Sequence, residues 1–147
     1  MTMKPAQSQG FTLVEMMIVA IIVAILAAVG VAMMRGHTTR AMATEAYGAM
    51  GTIRTALRVN YAETNDYGKL PDGTVIAADC TNLPGVRPRY PPTPGDLDGR
   101  YWDQDCYTLS FPTSSRYLIT ATGKADGPTA GVTITLDETG TFTKDGF

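Results

Sequence analysis

The residue in this chain best placed to do chemistry is a carboxylate at the head of an uncharged apolar run. Glu15 precedes Met16–Met34 (MMIVAIIVAILAAVGVAMM), nineteen residues without a charge. Deep in hydrocarbon a carboxylate costs about 2.5–3.5 kcal/mol on insertion scales, so it calls for a partner. Lys4 is the only cation before Arg35. The chemistry implied is ion pairing, with a positive group on another molecule or one created by processing.

Other reactive residues are sparse. Asp96, Asp98, Asp103 and Asp105 crowd GDLDGRYWDQDC, and oxygen-rich loops of this kind hold calcium. The run lacks the twelve-residue loop with its terminal Glu, however, and Arg100 interrupts it, so a solvated acidic loop that caps its own turns is the simpler expectation. His37 is the sole histidine, and no nucleophile–base pair, phosphate loop or metal set stands out. The chain is read as a non-enzyme without metal or cofactor. Net charge is −2 with both signs scattered, so no basic block argues for nucleic-acid binding, and that partner stays open.

These residues must be carried by a small number of elements. The apolar run is long enough to cross a bilayer as a helix. No proline interrupts residues 39–62, and Met42, Ala46, Met50, Ile53, Leu57 and Tyr61 recur at spacings of three and four. That period predicts one amphipathic stripe, with Arg40, Arg54 and Arg58 off it. A single helix of roughly 50 residues, apolar all round and then amphipathic, is expected. Asn65-Asp66-Tyr67-Gly68 and Pro71-Asp72-Gly73 should end it and turn the chain. A long connection follows over 63–104, with a short strand at Thr74–Ala78. Strands are expected at Cys106–Phe111, Arg116–Thr122, Gly131–Leu136 and Thr141–Lys144, as an antiparallel meander whose apolar face the helix stripe covers. Tyr101 and Trp102 are either a contact patch or a lid on the core, the second being the commoner role. The fold class is therefore α+β, a long helix packed on a small antiparallel sheet.

The first 35 residues resemble type IV prepilins and the pseudopilins of type II secretion. The match lies in the short polar start MTMKPAQSQG with Lys4, the Gly10/Phe11 junction, the FTLVE block and the long apolar helix. The resemblance implies a leader at 1–10, a transmembrane and filament-core helix at 11–35, and an amphipathic half-helix plus head at 36–147. A prepilin peptidase would cut after Gly10 on the cytoplasmic side and methylate the new Phe11 amine, and Glu15 would pair with that amine on a neighbouring subunit. The implied partners are other copies of the chain, the peptidase, an inner-membrane assembly platform and, before assembly, the membrane itself. The implied locations are the inner membrane and then a cell-surface pilus, or a periplasmic pseudopilus. Flanking charge alone leaves orientation ambiguous.

The resemblance also sets limits. Where many pilins carry a helix proline and a mid-helix glycine, this chain has Ala32 and Ala24, with Gly30 near, so helix melting on assembly is absent or moved. The cysteine pair that brackets the C-terminus of pilins is missing. Cys80 and Cys106, 25 residues apart, are candidates for one disulfide in an exported head, or else two thiols buried independently. A secretory signal peptide competes with the prepilin reading, but its apolar stretch spans 7–15 residues and an acid at its head is unusual. An uncleaved anchor, or an anchored module binding ligand through residues 91–105, leaves Glu15 and the leader without a purpose.

Overall fold

A computed structural model describes residues 11–146. The leader, including Lys4 and Gly10, lies outside the described residues. Helix α1 runs Leu13–Thr64, 52 residues, as its uninterrupted pattern predicts. It contributes to two compact units that part after Thr38. In the first unit, Leu13–Gly30 is long and apolar enough to cross a membrane by length and composition, and none of it is buried by the fold.

The second unit is the head. After α1 come a 3-10 turn at Gln104–Cys106 and four strands: β1 (Tyr107–Thr113), β2 (Arg116–Thr122), β3 (Thr133–Asp137) and β4 (Phe142–Asp145). They pair in the order β1-β2-β3-β4, all antiparallel, the expected meander. The β1–β2 register slips between Ser110 and Thr113, where Pro112 brings no N–H to the ladder. Leu109, Tyr117, Ile119, Ala121, Ile134 and Leu136 alternate onto the covered face of the sheet.

The helix stripe meets that face. Met42, Ala46, Met50, Ile53 and Leu57 are buried as predicted, while Tyr61 is half-buried and stacks on Tyr67 with centroids 4.2 Å apart. Arg54 departs from the simple stripe: it is half-buried, and its guanidinium donates to the Thr139 carbonyl at 3.4 Å. Gly140 in the turn between β3 and β4 has φ 92°, a left-handed conformation that favours glycine. The helix closes on Asn65, left-handed at φ 55°, whose N–H reaches the Tyr61 carbonyl at 2.8 Å. Asn60 then donates to the carbonyls of Asp66 and Lys69, at 3.2 and 2.8 Å, tying the outgoing chain to the last turn.

The connection over 65–103 is an ordered string of turns, including a cis Pro91–Pro92 bond. The strand expected at Thr74–Ala78 is not formed. Only Val75 bridges Lys69, and Ala78 instead gives its carbonyl to the Leu109 N–H at 2.7 Å. The segment serves as a cover beside β1, held by side-chain bonds from Asn82 to Ala77 and Val75 rather than by a ladder. Ile76, Cys80, Leu83, Val86, Leu97 and Trp102 all send their side chains into the core.

Cys106 lies in the 3-10 turn, one residue before β1. Cys80 and Cys106 are both buried in the same core cluster, each as a free thiol. Burial, reinforced by neighbouring Asp79, pushes the Cys80 thiol up to about 12. A thiol so protonated is a poor nucleophile.

Candidate assembly site

The N-terminal end of α1 combines three features: a free-standing aromatic, a capped first turn and an uncovered apolar surface. Phe11 is 75% exposed, immediately ahead of the helix. Thr12 is the cap. Its hydroxyl accepts the Glu15 N–H at 3.2 Å, while Glu15 Oε2 accepts the Thr12 N–H at 3.4 Å. This reciprocal pair satisfies two of the donors that a helix start leaves open, and places an anion at the positive end of the helix dipole. Among the described residues no cation pairs with Glu15. The T-x-x-E spacing of this cap is legible in Thr12-Leu13-Val14-Glu15, although the charge of Glu15 draws attention away from Thr12.

Beyond the cap the surface is hydrocarbon. Leu13, Val14, Met16, Met17, Ile18, Ile21, Ile22, Ile25, Leu26 and Val29 are each at least half exposed. At about 25 cal/mol per Å², leaving such side chains in water is costly by roughly 1.5–3 kcal/mol apiece. The unit is built to be covered by something outside its own fold.

The family model of the prokaryotic N-terminal methylation motif matches residues 5–31. The chain carries a prepilin-type signal. That signal is the N-terminal methylation motif shared by type IV pilins and pseudopilins. It implies processing by prepilin peptidase and assembly into a filament, and it fits a membrane-anchored precursor. No curated protein and no solved structure matches the chain.

The residues singled out in the head have a different use. Trp102 is fully buried and its indole N–H donates to the Met42 carbonyl at 2.9 Å, so the lid reading holds and the contact-patch reading fails for this residue. Glu45, which nothing in the sequence pattern marked, takes the N–H groups of Tyr101 and Trp102 on one oxygen at 2.8 and 2.9 Å. A side chain at Gly99 would collide with that carboxylate, so the loop needs glycine there. The four aspartates turn to protein cations and N–H groups. Asp96 pairs with Arg87 at 2.7 Å; Arg89 reaches Asp98 and Asp105 at 3.5 and 2.5 Å; Lys124 pairs with Asp103. Asp98 also accepts the N–H groups of Gly95 and Gln104, at 2.8 and 3.0 Å. Burial raises its carboxyl, but those bonds and Arg89 outweigh it and leave the group below the ordinary carboxylate range. Both oxygens of Asp96 and of Asp98 are engaged by protein donors, and Asp103 and Asp105 each use one.

Proposed function

We propose that this chain is the structural subunit of a type IV pilus-like filament. A prepilin peptidase cuts between Gly10 and Phe11 and methylates the exposed amine; Glu15 then pairs with the Phe11 ammonium of an adjacent subunit. The apolar half of α1 moves from lipid into the filament core, and the head coats the outside. One observation carries this reading: a carboxylate without a cationic partner among the described residues stands at the tip of a helix whose entire apolar surface is uncovered. In a low-dielectric core an isolated charge is expensive and a paired one far less so. Cleavage supplies the missing cation, and a neighbour presents it in register.

The anchored-binder reading gains nothing from residues 91–105, whose tryptophan is buried and whose aspartates are spent on Arg87, Arg89 and Lys124. A pseudopilin uses the same signal and helix, and its polymer remains in the periplasm. Sheared surface material therefore separates the two filament roles. On export, Cys80 and Cys106 are the pair an oxidising compartment would join, which intact mass with and without reduction reports.

The experiment is Glu15→Ala in the full-length chain. Membrane-bound subunit, cleaved at Gly10/Phe11, should accumulate while filament yield drops at least tenfold. Parent-level filaments from that variant would contradict the proposal.

A further inference from the structure

We infer that the head holds a binding site for a small organic cation, an ammonium or guanidinium group, in the cavity between α1 and the loop at residues 96–99. The cavity measures about 200 Å³ and opens to solvent; Glu45, Gly48, Asp96, Asp98, Gly99 and Tyr107 line it. It lies wholly within the head and is independent of filament assembly. Its acidic wall is unevenly compensated. Arg87 pairs with Asp96 at 2.7 Å, and Arg89 reaches Asp98 at 3.5 Å. Glu45 differs from both: its Oε1 accepts the Tyr101 and Trp102 N–H groups, while among the described residues no cation pairs with it and no donor reaches its Oε2. A carboxylate half-buried in this way attracts a positive charge from outside the chain.

Tyr107 supplies a second requirement. It is 2% exposed, and its hydroxyl has no hydrogen-bond partner. Burial above all, then Cys106 and Glu45, raises its pKa, so the hydroxyl stays protonated and meets a ligand as a neutral acceptor. A buried hydroxyl without a partner has lost its hydration with nothing in return. A water molecule would serve the hydroxyl but not the charge of Glu45, whereas a cation bearing N–H groups serves both. Gly48 points the same way. Glycine inside a helix weakens it, yet a side chain at Gly48 would meet nothing within 4 Å, so the packing of the head does not require the bare position. Its absence of a side chain leaves the cavity open. Thr52, also on the cavity wall, spends its hydroxyl on the Gly48 carbonyl at 3.2 Å and does not compete for Glu45. Among the described residues no three acidic, thiol or imidazole groups are placed to hold a metal ion, so the cation that fits is one that donates hydrogen bonds.

The probes are methylguanidinium and methylammonium, titrated into the full-length chain in detergent, with binding read from the chemical shifts of the head and from its melting temperature. Saturable binding of both is expected. Tetramethylammonium carries the charge without N–H donors and should bind about tenfold more weakly. Tyr107→Phe removes only an unpartnered hydroxyl, so it should melt as the parent does and bind about fivefold less tightly, the usual worth of one hydrogen bond. Glu45→Gln should bind about tenfold less tightly, as loss of a charged acceptor implies. Gly48→Leu, which puts a side chain into the open space, should not bind. Absence of saturable binding by the parent, equal binding of tetramethylammonium, or parent-level binding by both Tyr107→Phe and Gly48→Leu would each overturn the inference. Intact filaments then identify the natural source of the cation, and either result supports the site. Filaments that take up methylguanidinium as free subunits do leave the cavity to a soluble amine. Filaments that exclude it have filled the cavity with a basic side chain of another copy.

Discussion

Two stretches of one helix treat the same residue types in opposite ways. Ile25 and Leu26 are 61% and 66% exposed, while Ile53 and Leu57 are fully buried. Composition does not separate them; company does. The later stretch alternates its apolar stripe with polar residues and has a sheet and a long loop to lie against. The earlier stretch is apolar on every side and has neither. A surface of that kind marks contact with lipid or with protein, so the fold completes the head and leaves the N-terminal segment to be covered from outside.

That contrast predicts opposite mutational responses. Trp102→Ala should destabilise the head by about 3–5 kcal/mol, since it removes a fully buried indole and its bond to Met42. Glu45→Gln weakens the same clasp by a smaller amount, about 1–3 kcal/mol, because a neutral amide oxygen replaces a charged acceptor for two loop N–H groups. Denaturant unfolding of the detergent-solubilised chain measures both. Ile22→Ala should leave that unfolding curve in place and act only on filament yield. A head destabilised by Ile22→Ala as strongly as by Trp102→Ala would erase the distinction between the two regions.

The smallest effect is that of pH on the head. Hydrogen bonds hold the carboxyls of Asp79, chiefly through Thr81, and of Asp137, chiefly through Thr139, below the ordinary range, as Asp98 is held too. Such groups stabilise the fold above the unfolded carboxylate value, near 4, and lose that contribution as pH falls through their lower folded values. In the reduced chain Cys80 has the reverse sign. Its thiol is pushed up to about 12, so its contribution is full below the ordinary thiol value of about 8.5 and fades as pH rises from there toward 12. Thermal melting should be level between about pH 5 and 8, with a decline near pH 3 and another near pH 10. A melting temperature that keeps rising below pH 4 would contradict the carboxylate assignments.

Much of this was legible in the sequence because periodicity reports burial. The 3.6-residue stripe from Met42 to Leu57 located the helix face, and alternation at Arg116–Thr122 located β2 residue for residue. What escaped depends on partners distant in the chain. Glu45 looks like any surface glutamate until Tyr101 and Trp102 arrive above it. Arg54 looks solvated until the β3–β4 turn closes on it. The segment Thr74–Ala78 has strand composition but meets edge strand β1 through the Leu109 N–H on the Ala78 carbonyl and otherwise follows the turns set by Asn82 and its neighbours. Thr12 is the opposite case, a local signal available in four residues and obscured by the louder acid beside it.

The proposed assembly depends on a charge that exists only once residues 1–10 are removed. Intact mass of the subunit recovered from sheared filaments tests this most directly. The expected species begins at Phe11 and carries one methyl group on its amine. Filaments built from chains that still begin at Met1 would contradict it, because no ammonium would then lie within reach of Glu15.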